Sequence, residues 1–168
     1  MLKVGLVKYN QDIYDRIMQL FDNLPLSCLV NGKFLCVHGG ISHELRSLED
    51  IKKIDRFKEV PKSGLLCDLV WADPVDNSSG TMQGLVKNND VRGCSYFFGY
   101  ELAKGFLDKN KLISVIRAHE AQNEGFKMYK WAGNEKFPTV ITIFSAPNYC
   151  DFYNNKAAVI KFEVLIIN

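Results

Sequence analysis

Lys33-Phe34-Leu35-Cys36-Val37-His38-Gly39-Gly40 is the stretch that decides the fold. A mostly apolar, β-prone run ends on a histidine, and two glycines follow. Leu26 to Val30 has the same character, and Asn31-Gly32 between the two runs supplies the positive φ values of a tight primed turn. The pattern predicts a hairpin with His38 at the far end of its second strand. The glycines there let backbone or ligand approach closely. A second stretch repeats the arrangement, since Leu112-Ile113-Ser114-Val115-Ile116-Arg117-Ala118 runs directly into His119. Two imidazoles carried on two strand ends can converge on one divalent cation, and neutral imidazole suits zinc or iron. A hydrogen-bonded histidine beside a tight turn is the competing reading of His38.

Working outward, residues 10–23 read as an amphipathic helix, with Ile13, Ile17, Leu20 and Phe21 on one stripe and Asn10 as its N-cap. Asn23-Leu24-Pro25 stops it. Leu48 to Ile54 reads as a short charged helix and residues 99–109 as a longer one, with Leu102, Phe106 and Leu107 on its apolar side. A link at Pro61-Lys62-Ser63-Gly64 leads to Leu65–Trp71, and Trp71-Ala72-Asp73-Pro74 reads as a strand-to-turn junction. Asp73 to Asp90 reads as a long polar loop, of a length that is often functional. Strands are predicted at 112–118, 126–131, 139–144 and 156–162. Helices at intervals among strands give a mixed α/β or α+β layer architecture.

Composition narrows the function classes. A chain of 168 residues, 47% of them hydrophobic, can build one core and bury about 70% of its unfolded surface. Lys plus Arg is 21 against 19 Asp plus Glu, a balance that gives no reason to expect nucleic acid or a membrane surface as partner. No apolar run approaches the roughly 20 residues of a membrane span, and Met1 to Val7 is too short and too soon charged for a secretion signal. Cysteines at 28, 36, 67, 94 and 150 include no Cys-x-x-Cys pair, so free thiols in a reducing compartment are expected. Asn77-Ser78-Ser79 fits a glycosylation pattern but reads as a polar loop. The tail Val164-Leu165-Ile166-Ile167-Asn168 is apolar and ends abruptly, which reads as a truncated domain.

Three further positions can carry chemistry. Arg92 leaves the long polar loop and enters the aromatic run Tyr96-Phe97-Phe98. Its guanidinium can hold a phosphate through paired N–H donors, or form a surface salt bridge to Asp90 or Glu101. Ser145-Ala146-Pro147-Asn148-Tyr149-Cys150 is a turn that can project Tyr149 toward the strand ends. His43, ahead of a polar helix, reads as a surface residue.

Cys36-Val37-His38-Gly39-Gly40, Trp71-Ala72-Asp73-Pro74, Val91-Arg92-Gly93, Arg117-Ala118-His119-Glu120 and Ser145-Ala146-Pro147-Asn148-Tyr149 stand in the order of the phosphoprotein phosphatase family of Ser/Thr phosphatases. The chain resembles that family over about residues 8 to 163, within a partial catalytic domain spanning 1–168. Asp55-Arg56-Phe57-Lys58-Glu59, Arg92-Gly93-Cys94-Ser95-Tyr96-Phe97, Ala118-His119-Glu120-Ala121-Gln122 and Tyr153 to Val159 are similar to its calcium- and calmodulin-regulated branch, the calcineurin catalytic subunits. Cys150 is similar instead to the other branches, and His43 stands where the family usually has Pro.

The resemblance implies a metallophosphatase β-sandwich with flanking helices, of which this chain holds the C-terminal half to two-thirds. It implies a phosphoprotein phosphohydrolase whose complete site holds two divalent metals, iron with zinc or manganese. His38 and His119 are then ligands of the second metal, Arg92 the phosphate-binding residue, and Trp71, Tyr149 and Cys150 the lining of the substrate groove. Phosphoproteins are the implied substrates, a calcium-binding regulatory B subunit and calmodulin the implied partners, and the cytoplasm, with the nucleus, the implied compartment. The family's Gly-Asp-x-His-Gly, Gly-Asp-x-x-Asp-Arg-Gly and Gly-Asn-His-Glu motifs, which supply the first metal's ligands, the bridging aspartate and the proton donor, do not occur in this sequence. Little or no turnover is therefore expected of the chain alone. A pseudophosphatase, a binding module, or a metallophosphoesterase acting on nucleotides are the alternatives. Half a sandwich leaves strand edges and apolar surface in water, so association of the isolated chain is also expected.

Overall fold

The computed structural model describes residues 7–76, 86–132 and 136–163. Helix α1 (Gln11–Asn23) leads into strands β1 (Ser27–Val30) and β2 (Phe34–Val37), followed by helices α2 (Leu48–Lys52) and α3 (Leu65–Trp71). Strands β3 (Asp73–Pro74), β4 (Val86–Asn88) and β5 (Tyr96–Phe98), helix α4 (Tyr100–Asn110), and strands β6 (Ser114–Arg117), β7 (Phe126–Tyr129) and β8 (Val140–Ile143) complete the order. A five-stranded sheet runs β1-β2-β6-β8-β7, with β2, β6 and β8 mutually parallel, and a small sheet runs β3-β5-β4. This is the mixed α/β architecture that the residue pattern predicts, with the sheets and flanking helices that the resemblance implies.

The parallel strands explain the site. Strands β2 and β6 both end at the same edge, so the residues that follow them, His38 and His119, emerge side by side. Register places Leu35, Val115, Val140 and Tyr129 in one row across the sheet, all buried. Helices α3 and α4 close over that row through Leu69, Ala103, Phe106 and Leu107, and Phe98 joins them from β5. The core is therefore a helix layer on one sheet face. The glycines after His38 allow α3 to lie this close. A Cβ on Gly39 would collide with the backbone of Val70 and Trp71, and one on Gly40 with the Phe98 ring.

The hairpin forms with Asn31 and Gly32 at positive φ, as their residue types require. Pairing resumes only at Phe34, one residue later than a two-residue turn would allow. Lys33 is the extra residue: its N–H donates to the Val30 carbonyl at 3.0 Å and closes the turn, while its carbonyl accepts from Ile113, ahead of β6. Helix α1 starts where expected, with the Asn10 side chain accepting from the Ile13 N–H at 2.9 Å. Its apolar stripe finds no deep cover: Leu20 is 59% exposed and no residue of the helix is buried.

Three expectations are corrected. Leu65–Trp71 is a helix, so Trp71-Ala72-Asp73-Pro74 joins a helix to a two-residue strand. A short continuous apolar run does not reveal its period. What makes it helical is context: Asp68, in its middle, is buried and accepts from the Ser42 and Ser95 hydroxyls at 2.6 and 2.7 Å. Residues 156–162 do not form a strand. Lys156 and Ala158 donate isolated backbone bonds to Asn123 and Phe144, with no ladder of consecutive partners beside them, and Phe162 packs edge-on against Phe34. The long polar loop is also shorter than read, since its two ends are the strands β3 and β4. Asn77-Ser78-Ser79, residues 1–6 and the tail from Val164 lie outside the described residues.

Gly39→Ala should destabilise the chain by about 1–3 kcal/mol, as overpacking does. Urea denaturation checks this; an unchanged midpoint would mean that α3 does not press on the His38 turn.

Candidate metal and phosphate site

His38 Nε2 and His119 Nδ1 face each other at 3.1 Å. Their rings meet at 66°, and the Trp71 indole stands edge-on to His119 with centroids 5.2 Å apart. The Ala118 N–H donates to the His38 carbonyl at 3.0 Å, which ties the two strand ends together just below the rings. His119 has a φ of +61°, a region costly for a residue with a Cβ, and the Glu120 N–H bonds back to the Ala118 carbonyl across it. The tight three-residue turn swings the imidazole off the strand axis toward His38.

Both imidazoles are held neutral. Burial first, then the Arg92 and Arg117 charges, lower the pKa of His119 to about 4. The same causes, burial and then Arg117, lower that of His38. Neutral rings can offer lone pairs to a cation. The geometry fits one: zinc–nitrogen bonds of ~2.0–2.1 Å at a tetrahedral angle put two donors about 3.3 Å apart. His119 Nε2 is buried without a hydrogen-bond partner among the described residues, so the ring is held by packing and by what its other nitrogen binds. No group of three or more His, Cys, Asp or Glu side chains positioned for a metal occurs among the described residues. A cation here would draw on two protein nitrogens from this part of the structure.

The rings form one wall of a cavity of about 840 Å³ that Arg92, Glu120, Tyr149 and Tyr153 also line. Arg92 does not pair with Asp90 or Glu101. It forks onto Asp73, with Nε donating at 2.8 Å and Nη2 at 3.3 Å, and the Asn89 amide donates to the same carboxylate at 2.9 Å. Nη1 makes no hydrogen bond among the described residues and is left for the cavity. Burial alone would raise the Asp73 pKa, but the bonds from Arg92 and Asn89 and the Arg117 charge outweigh it and hold the carboxyl below the usual range.

Beneath this pair lies Arg117, whose side chain is fully buried. Its guanidinium donates to the Gly39 carbonyl at 2.5 Å, to Ala72 O at 3.1 Å, to Asp73 Oδ1 at 2.7 Å and to Glu120 Oε2 at 2.6 Å. Asp73, Arg117 and Glu120 stand inside the sequence motifs, where the residue pattern alone gives them no role. A charged residue inside an apolar strand was the available signal, because Arg is almost never fully buried unless paired.

The turn after β8 carries the other predicted residues. Tyr149 reaches the cavity and packs edge-on against Phe144 at 5.1 Å. Cys150, at a φ of +57°, is exposed and does not line the cavity, and Trp71 touches it only through His119. The buried side chain of Asn155 secures the turn, donating to Ala146 O at 2.8 Å and accepting from the Tyr149 N–H at 2.9 Å. His43 is exposed, as expected, with its ring edge-on to Tyr96.

Residues 3–123 match the Calcineurin-like phosphoesterase family. The chain belongs to that family. It is 47% identical to the serine/threonine-protein phosphatase 2B catalytic subunit A2 of Saccharomyces cerevisiae and 49% identical to subunit A1, in each case over 96% of its own length. It spans about a third of those relatives, 31% of each. A solved serine/threonine phosphatase from Saccharomyces cerevisiae, described as similar to human phosphatase PP5, superposes with a TM-score of 0.74 at 36% identity. That match covers 90% of this chain and 44% of the other. No helix among the described residues is long and apolar enough to cross a membrane.

Asp73→Asn should cost about 3–5 kcal/mol, the usual result of removing one partner from a buried ion pair. Because the Asp73 pKa is lowered on folding, its contribution is full above the ordinary carboxylate value and lost as the pH falls below about 4. Urea denaturation of both proteins across pH should show the gap closing in acid; a gap independent of pH would contradict the ionised assignment.

Proposed function

We propose that this chain is the phosphate-arginine and second-metal part of a metal-dependent protein serine/threonine phosphatase, a phosphoric monoester hydrolase. The observation that carries the reading is the His38 Nε2–His119 Nδ1 pair on the wall of a cavity that also receives the Arg92 guanidinium. His38 and His119 would hold one divalent cation, zinc, iron or manganese. When bound, such a cation supplies Lewis acidity toward a phosphoryl oxygen and toward water.

The chain's own residues do the rest of the positioning. Arg92, its Nε and Nη2 side anchored on Asp73, presents Nη1 to the non-bridging oxygens of a phosphomonoester and offsets their charge. The neutral state of both imidazoles leaves their lone pairs free for the cation rather than for protons. Tyr149 and Tyr153 wall the cavity and exclude bulk water from one side of the bound ester, and Trp71 backs the His119 ring from outside it. Phosphoproteins are the substrates this reading assigns. That the relatives are catalytic subunits supports assembly with regulatory subunits, of which a calcium-binding B subunit and calmodulin are our candidates, in the cytoplasm or nucleus. A second reading, a non-catalytic binding module, draws on the donors being a pair among the described residues.

The test is a chimera in which this chain replaces the matching segment of the yeast phosphatase 2B catalytic subunit A1. The chimera should hydrolyse a serine-phosphorylated peptide with manganese. Arg92→Ala within it should lose about 10–100-fold in kcat/KM, the worth of ~1.5–3 kcal/mol in hydrogen bonds to a charged group. The chain alone should turn over little. A folded, metal-loaded chimera without activity would favour the binding module instead.

A further inference from the structure

We propose that Arg117 is a positioning residue: one buried guanidinium sets the spacing of both imidazoles and the aim of Arg92. The proposal rests on the reading of His38, His119 and Arg92 given above, and extends it to a residue outside the cavity wall.

Arg117 is held by acceptors from separate parts of the chain. Its four hydrogen bonds end on Gly39, Ala72, Asp73 and Glu120. Gly39 follows His38. Glu120 follows His119. Ala72 follows Trp71, the ring that abuts His119. Asp73 is the carboxylate on which Arg92 forks. Each acceptor is a functional side chain's immediate neighbour in sequence or its direct partner. Three segments far apart in the chain, the turn after β2, the α3–β3 junction and the turn after β6, are thus fastened to one rigid planar group.

The chemistry of arginine is required here. Its donors form a fixed fork, so satisfying one acceptor orients the rest, whereas a lysine ammonium is a point charge on a flexible stem that cannot span these acceptors together. The charge is also balanced. Arg92 and Arg117 face Asp73 and Glu120, so two guanidiniums meet two carboxylates and the cluster can lie below the surface without a net charge. Arg117 projects from the core face of β6 at the very end of the strand, two residues before His119. Its backbone position is therefore set by the sheet, and the guanidinium transmits that position sideways to the other two segments.

A merely structural role and a positioning role differ in what they move. Side-chain ¹⁵N spectra of the histidines, with and without zinc, report ring environment and ligation directly. In the wild-type chain His38 and His119 should respond to zinc together. Arg117→Lys should weaken zinc binding by about 10–100-fold, the usual cost of losing a group that orients metal ligands, and uncouple the two responses. Glu120→Ala removes one arm of the fork at a partly exposed position and should shift His119 alone. Ser42→Ala loosens the separate Asp68 network and should lower stability while leaving both rings unmoved. If Arg117→Lys does not fold, Glu120→Ala against Ser42→Ala decides. Rings unmoved in Arg117→Lys, or moved equally by Ser42→Ala, would overturn the proposal. If the wild-type rings ignore zinc, the metal reading falls instead, and the zinc-free spectra of the same variants still decide the role of Arg117.

Discussion

The structure depends on one buried carboxylate. Asp73 is almost completely shielded from water and receives Arg92, Arg117 and Asn89 at once. An isolated ionised carboxylate at that depth would be far too costly, so its presence obliges the fold to bring both guanidiniums to it. Arg117 in turn could not lie inside the sheet's core face without acceptors on several sides. The two requirements are mutual, and satisfying them draws the ends of β2, α3 and β6 into contact. The cavity beside them, lined by the two imidazoles and the Arg92 guanidinium, is the outer surface of that arrangement.

The parallel strands make this possible. Parallel neighbours end at the same edge, so the loops leaving β2, β6 and β8 open side by side and can contribute to one site. Helices α3 and α4 cover the core face behind them and leave the edge clear. The glycines after His38 have a structural duty more immediate than admitting a ligand: they let the end of α3 and the Phe98 ring press against the turn that carries the histidine. Strain is concentrated at the same place, since His119 and Cys150, both next to the cavity's loops, hold positive φ values that a residue with a Cβ adopts at a cost.

Much of this was legible in the residue pattern. Asn31-Gly32 between apolar runs announced the hairpin, Asn10 announced the start of α1, and the two apolar runs ending on histidine announced the imidazole pair. Tyr149 was legible as a side chain aimed at the strand ends, whereas the residue pattern left Arg92 between a phosphate contact and a surface salt bridge, and only the family resemblance placed it at the site. The partner of Arg92 was not legible. Asp90 and Glu101 are near it in sequence, while Asp73 is near it only once β3 pairs with β5. Helix α3 was not legible either, because a seven-residue apolar run with one polar residue carries no clear period, and that residue, the buried Asp68, finds its hydroxyl partners 26 and 27 residues away. Residues 156–162 have the composition of a strand, yet composition does not supply the neighbouring ladder that a strand needs.

By itself, then, the sequence determined where chains of local interactions begin and end: turns, caps, apolar periods, and the residues placed just past the strands. Those depend on backbone angles and on side chains a few positions apart. Tertiary structure alone decided which charges neutralise one another, that two imidazoles 81 positions apart would face each other, and that Arg117 would bind all three segments. Burial makes these pairings obligatory, and burial is a property of the packed molecule that no single stretch of residues contains.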